Sequence, residues 1–111
     1  MPTKQDIQKL LDMVRRKFDD PAKRAKFVGF DRTLEFKFTD LAASFYTRVH
    51  DQKMDAFAEG SLDKPNLQVV TDSGTLKGIL EGSLSPLDAY SVGKLKAKGS
   101  MTDLLKLQVL M

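Results

Sequence analysis

A chain of 111 residues, 41% hydrophobic and 30% charged, carries enough apolar material for one core and not for two, so residues 1–111 read as a single domain. It has no cysteine and one histidine, which excludes a disulfide framework and thiolate chemistry and leaves any metal site to carboxylates alone. The net charge of +3 is uneven: residues 1–32 hold nine Lys/Arg against five Asp, and the remainder nine against ten acids.

The first predicted element is an amphipathic helix over residues 4–18. Ile7, Leu10, Leu11, Val14 and Phe18 recur at helical spacing behind a Thr3/Asp6 capping pair. Asp19-Asp20-Pro21 stops it, and Asp20 with Pro21 opens a shorter helix that carries Phe27 and ends near Gly29. Strands follow. Leu34, Phe36 and Phe38 alternate with Thr33, Glu35 and Lys37; Phe45, Thr47 and Val49 alternate with Tyr46, Arg48 and His50. After a turn at Asp51-Gln52, Met54, Ala56 and Ala58 alternate with Asp55, Phe57 and Glu59, which predicts a hairpin. Leu67, Val69 and Thr71 make a fourth strand.

Asp72 then caps a helix carrying Leu76, Ile79 and Leu80, and Ser85-Pro86 opens another with Leu87 and Tyr90. Lys94, Lys96 and Lys98 alternate with Leu95 and Ala97 in a fifth strand, and Ser100 with Asp103 boxes the start of the last helix. Four strands, two helices, a strand and a helix predict an α+β fold: a mixed, mainly antiparallel five-stranded sheet with four to five helices on one face.

Catalysis finds little material here. His50 reads as an exposed turn residue, and Asp19 and Asp20 as helix-stop and cap residues rather than a general acid/base pair. Gly74, Gly78 and Gly82 strip one helix face of side chains, which allows close packing on the sheet or room for a bound molecule. The basic N-terminal region reads as a solvated helix face with weak attraction to anionic membranes, and no aromatics interleave with it as base-stacking would require. The lysines of the fifth strand read as a solvated face that discourages edge pairing. In the last helix Met101, Leu104, Leu105, Leu107, Val109 and Met111 sweep close to half the circumference, with Gln108 inside that stripe and Leu110 outside it. That is wider than core packing needs. Core packing, a ligand lid and a partner interface all remain open readings, and Leu110-Met111 suits an apolar flap.

The stretch Gly82-x-Leu84-Ser85-Pro86-x-x-Ala89-x-x-x-Gly93-Lys94-Leu95-Lys96-x-x-Gly99, followed by Met101 and Lys106-Leu107-Gln108, resembles the sterol carrier protein type-2 domain. The resemblance runs from about Phe27 to Met111, while the opening residues match only as a helix. It implies a five-stranded sheet under helices, with an apolar tunnel between them that takes fatty acid, acyl-CoA, sterol or phospholipid without chemical turnover and without a cofactor. On that reading Phe36, Phe45 and Phe57 form the tunnel floor, Leu76, Ile79, Leu80, Leu87 and Tyr90 a wall, and Met101, Leu104, Leu105 and Leu107 the lid. The expected partners are a lipid or acyl-CoA ligand, with transient contacts to membranes or lipid-metabolising enzymes, no nucleic acid, and a monomeric or weakly dimeric state. The alternative is an accessory module that docks its last helix onto such an enzyme. The end Val109-Leu110-Met111 departs from a peroxisomal tripeptide, the start is polar and no apolar run reaches the roughly 18 residues of a membrane span, so a cytoplasmic protein is expected.

Overall fold

In the structure, a computed structural model, residues 3–110 are described. The Thr3 N–H donates to Asp6 Oδ2 at 2.8 Å and the Asp6 N–H to Thr3 Oγ1 at 3.2 Å, so two amides that a helix start leaves orphaned are satisfied reciprocally. Helix α1 runs from there over Lys4–Arg16 and sends Ile7, Leu11 and Val14 fully into the core. It then tightens into a 3₁₀ turn at Lys17–Asp19 that keeps Phe18 buried. Asp20 accepts from the Ala22 N–H at 2.9 Å and starts α2, Pro21–Arg24, which passes into a second 3₁₀ turn at Ala25–Phe27. The Phe27 ring sits between Phe18 and Phe30, with centroids 4.9 and 5.3 Å away.

The sheet has six strands: β1 (Arg32–Phe38), β2 (Ala43–His50), β3 (Lys53–Met54), β4 (Ala58–Glu59), β5 (Leu67–Thr71) and β6 (Leu95–Lys98). Its order is β3-β2-β1-β5-β6, with β4 also on β2; β1 and β5 run parallel and every other pair antiparallel. The third strand expected over Met54–Glu59 is split, and register shows why. Val49 faces Met54 while Tyr46 faces Ala58, so Thr47 and Arg48 stand opposite three residues, Asp55, Ala56 and Phe57. This is a bulge, and one extra residue reverses the in-out sense of everything after it. Strict alternation puts Met54 and Phe57 on opposite faces, yet both are buried, and Phe57 meets the Phe36 ring at 5.8 Å.

One face of the sheet carries Leu34, Phe36, Phe38, Phe45, Val49, Leu67, Val69 and Leu95, all buried. The other is mainly polar. Its one deeply buried residue, Glu35, accepts from the Leu62 N–H at 2.8 Å and from Gln68 Nε2 at 2.6 Å, which folds the 60–66 loop over that spot. The helices therefore gather on the first face. Helix α3, Ser73–Leu80, is capped by Asp72, whose carboxylate takes the Thr75 N–H at 2.8 Å, and it packs on α1. At Gly78 the glycine-stripped side of α3 is covered: the chain doubles back so that the Ser83 and Leu84 N–H groups bond the Gly78 carbonyl. Helix α4, Pro86–Ser91, leads through Gly93 at φ +80° into β6, and Gly99 at φ +141° turns the chain into α5, Met101–Gln108.

Two details differ from expectation. Ser100 makes no side-chain capping bond, and the Asp103 expected to complete a box is instead turned inward to Arg32. Leu110, expected among the polar positions, is fully buried. The helix ends in a tighter turn in which the Leu110 N–H bonds the Leu107 carbonyl, and residues three apart eclipse in such a turn, so Leu110 falls under Leu107. Met111, and with it the expected flap, lies outside the described residues.

Candidate functional site

Strand β6 is short, pairs only with β5, and points Leu95 and Ala97 to the helical face while Lys96 and Lys98 point away. Ala97 stands beside Val69 in register, and its single methyl leaves the sheet unfilled there. Over this gap α4 and α5 lie side by side without closing it. The result is a cavity of about 220 Å³ with Val69, Leu95 and Ala97 beneath. Pro86, Leu87 and Tyr90 of α4 form one wall; Met101, Leu104, Leu105, Leu107 and Gln108 of α5 form the other. Apart from the Gln108 amide and the Tyr90 hydroxyl the lining side chains are apolar. Leu87, Tyr90, Met101 and Leu105 are each more than half exposed, so the cavity opens to the surface between the two helices.

Helix α5 has an inward stripe and two unlike flanks. Asp103, Leu107 and Leu110, at i, i+4 and i+7, face inward and are buried. Met101, Leu104 and Leu105 flank that stripe on the α4 side. The opposite edge is polar: Arg32 Nε donates to Asp103 Oδ2 at 2.9 Å, and the Lys106 Nζ stands 5.6 Å over the Phe30 ring. The helix is thus clamped along one edge and apolar along the other.

Of the residues singled out from sequence, Leu87, Tyr90, Met101, Leu104, Leu105 and Leu107 surround this cavity. Phe36, Phe45, Phe57, Leu76 and Ile79 lie in the solid core and Leu80 is packed at its margin, so none of these six lines the cavity. The core is closed at that end because Phe36, Phe38 and Phe45 pack ring on ring, at 6.2 and 6.0 Å, beneath the helices. Phe45 also lines a surface groove with Lys4, Gln5 and Gln8. Val69, Leu95, Ala97, Pro86 and Gln108 line the cavity without having been singled out. The alternation Lys94–Lys98 marked Leu95 and Ala97 as inward, but only the β5–β6 register brings Val69 to them.

His50 ends β2 outside this region. Its Nε2 meets Asp55 Oδ1 at 3.0 Å and its Nδ1 meets Asp51 Oδ2 at 3.2 Å. The bonds to Asp55 and then Asp51 raise the imidazole pKa against the smaller opposing effect of burial. A raised folded value makes the protonated ring a stabilising group below the ordinary value of about 6.5, and that contribution fades as pH climbs through the folded value. His50→Gln is therefore expected to lower Tm more at about pH 5.5 than at about pH 8.5. Equal losses at both would show that the carboxylates do not hold the charged ring.

No helix among the described residues is long and apolar enough to cross a membrane. No curated protein sequence matches the chain. Among solved structures it is similar to the stereoselective inverting sec-alkylsulfatase from Pseudomonas sp., at 26% identity and TM-score 0.68 over 79% of this chain. The chain spans only 14% of that enzyme's length. It is similar in fold to sterol carrier protein 2 like 2 from Aedes aegypti, with TM-score 0.70, 16% identity, and 97% of this chain and 98% of that one covered. A ubiquinone synthesis protein, UbiJ-SCP2, shares the fold at TM-score 0.64 and 14% identity, over 94% of this chain and 88% of that one. Residues 8–111 match the SCP-2 sterol transfer family, and with the strand order and the apolar cavity in place the chain belongs to that family of lipid-binding domains.

Proposed function

We propose that this chain carries a single acyl chain in the cavity between β6, α4 and α5, with α5 as the lid, and releases it without chemical change. The observation that supports it is an apolar cavity opening between exposed Leu87, Tyr90, Met101 and Leu105. At about 220 Å³ it falls below the roughly 300 Å³ at which pockets for compact drug-sized ligands begin. A flexible chain threads such a space, whereas a fused ring system requires α5 to lift first. The palmitated Aedes aegypti protein of the same fold supports an acyl chain as occupant. Each buried methylene contributes ~0.8 kcal/mol, so on the order of ten give about 8 kcal/mol before ordering costs, which makes micromolar affinity the upper bound.

Titration of delipidated protein with a fluorescent fatty acid tests this. Saturable 1:1 binding is expected, displaced by long-chain fatty acid or acyl-CoA, and native mass spectrometry of the same sample should show one lipid per chain. No saturable binding of acyl chains, acyl-CoA or sterol overturns the proposal. The exposed apolar flank of α5 also suits docking on an enzyme, which the alkylsulfatase relative favours. That second reading expects no lipid in the cavity and a complex that Leu105→Asp abolishes, read by light scattering on a sizing column.

A further inference from the structure

The sheet ends in two unlike edges. At one, β3 and β4 hold two residues each and the bulge at Asp55–Phe57 parts them, so no continuous row of backbone groups is offered. At the other, β6 is unbroken, and among the described residues Leu95–Lys98 have a strand neighbour, β5, on one side only. Alternate N–H and C=O groups along its outer side are left as a template for another extended segment.

Side chains say which segment fits. Lys96 and Lys98 point to the sheet face that carries no helix, and their neighbours across the β5 pairing are the uncharged Val70 and Gln68. Lys37 of β1 stands beyond Val70 in the same row. The one acid that β1, β5 and β6 place on this face is Glu35, which is buried and already held by the Leu62 N–H and Gln68 Nε2. Among the described residues none of the three lysines makes an ion pair. Leu95 and Ala97 alternate to the helical face, where α4 packs on β6 and leaves Leu87 and, at its cap, Val92 exposed. We propose that the outer edge of β6 takes up, as an added strand, an extended segment of a partner protein in which acidic and apolar residues alternate. Its acids stand beside Lys96 and Lys98 on the open face, and its apolar side chains stand beside Leu95 and Ala97 on the helical one. A second copy of β6 fits worse. Antiparallel two-fold pairing keeps both open faces on one side and sets lysine against lysine. The docking needs only the sheet edge and its lysines, so it stands apart from the lipid-carrying reading of the cavity.

Fluorescence anisotropy of a labelled peptide of alternating Glu and Val, titrated with the full chain, reads the docking directly. Saturable binding below about 1 mM is expected. Amide hydrogen exchange should show the outward N–H groups of Leu95–Lys98 gaining protection as the peptide binds. A block peptide of the same composition, all Glu and then all Val, carries the charge without the alternation and should bind at least about tenfold more weakly. Lys96→Glu with Lys98→Glu changes exposed residues outside the cavity lining and is expected to weaken the alternating peptide about tenfold. The Tm and the fatty-acid displacement curve of that variant should match the parent's. Lys9→Glu with Arg16→Glu, which makes the same change in net charge on the exposed face of α1, should leave peptide binding nearly intact. The proposal is overturned if the block peptide binds as tightly as the alternating one, or if protection appears elsewhere than on β6. It is overturned too if the Lys96/Lys98 variant keeps the peptide while losing phosphatidylglycerol vesicles, which makes a membrane the occupant of those lysines. A dimer of the parent in light scattering, with its β6 amides already protected, would put a second copy there instead. Fatty-acid titration of the same samples decides the carrier reading separately.

Discussion

Gly99→Ala is expected to cost about 2–6 kcal/mol of folding free energy. Gly99 sits at φ +141°, a region that side chains rarely enter, and holding alanine there costs on the order of 1–3 kcal/mol. Space is the second obstacle. A Cβ at this position would stand 2.5 Å from Leu67 Cδ2 and 2.9 Å from the Asn66 carbonyl oxygen. The leucine tip can swing, but the carbonyl belongs to a turn pinned to β1, where the Thr33 N–H donates to Asn66 Oδ1 at 2.8 Å and the Asn66 N–H to Thr33 Oγ1 at 2.9 Å. Overpacking of that kind adds roughly 1–3 kcal/mol. For a domain of this size the sum moves Tm down by about 10–30 °C. Gly93→Ala provides the contrast. Gly93 is also left-handed, at φ +80°, but an added Cβ meets nothing within 4 Å, so only the conformational cost of about 1–2 kcal/mol applies. Urea midpoints for the two variants decide the matter: equal losses would mean that the Leu67–Asn66 turn yields freely and that β6 and α5 are not held at this joint.

Why α5 departs from its own sequence pattern follows from that joint and from Arg32. The spacing Met101, Leu104, Leu105, Leu107 predicts an apolar helix correctly, and Ile7, Leu11 and Val14 do the same for α1, because periodicity is local information. What periodicity does not carry is which neighbour supplies a missing partner. Asp103 reads as a capping residue, since its position three after Ser100 fits, but Arg32 lies 71 positions away in sequence and takes the carboxylate inward. Leu110 reads as exposed at 100° per residue, and only a last turn wound more tightly brings it beneath Leu107. The bulge at Asp55–Phe57 is equally silent: alternation over Met54–Glu59 looks regular, and the pairing with β2 inserts the extra residue. The cavity shows the same division. Its α4 and α5 walls are legible as apolar positions on two short helices, although neither Ser85 nor Ser100 makes the side-chain capping bond that its position suggests. Its base is not, because Val69 reaches Ala97 only through a strand pairing that spans 28 positions of chain. The aromatic strand residues Phe36, Phe45 and Phe57 have the composition of a tunnel floor, yet they fill their end of the core with one another.

If the hollow beneath α5 is where a lipid sits, then Leu104→Asp should weaken acyl-chain binding at least about thirtyfold, while the domain stays folded. Leu104 is half-buried on the cavity wall, on the flank of α5 away from the Asp103–Arg32 clamp, so the substitution removes no anchor. In the empty protein a carboxylate there can turn to water through the open mouth. With an acyl chain seated it is pressed against methylenes with no donor to receive it. Burying an unpartnered polar group costs about 1–3 kcal/mol and a charge more, and every 1.4 kcal/mol is tenfold in affinity. Leu104→Met, which keeps volume and polarity nearly constant, should bind as the parent does. Leu110, six positions on and just past the end of the helix, behaves differently: Leu110→Asp charges a fully buried site and is expected to lose the fold along with the ligand. Fatty-acid displacement with far-ultraviolet circular dichroism on all three variants separates occupancy from stability. Unchanged affinity in a folded Leu104→Asp protein would place the lipid somewhere other than the space between α4, α5 and β6.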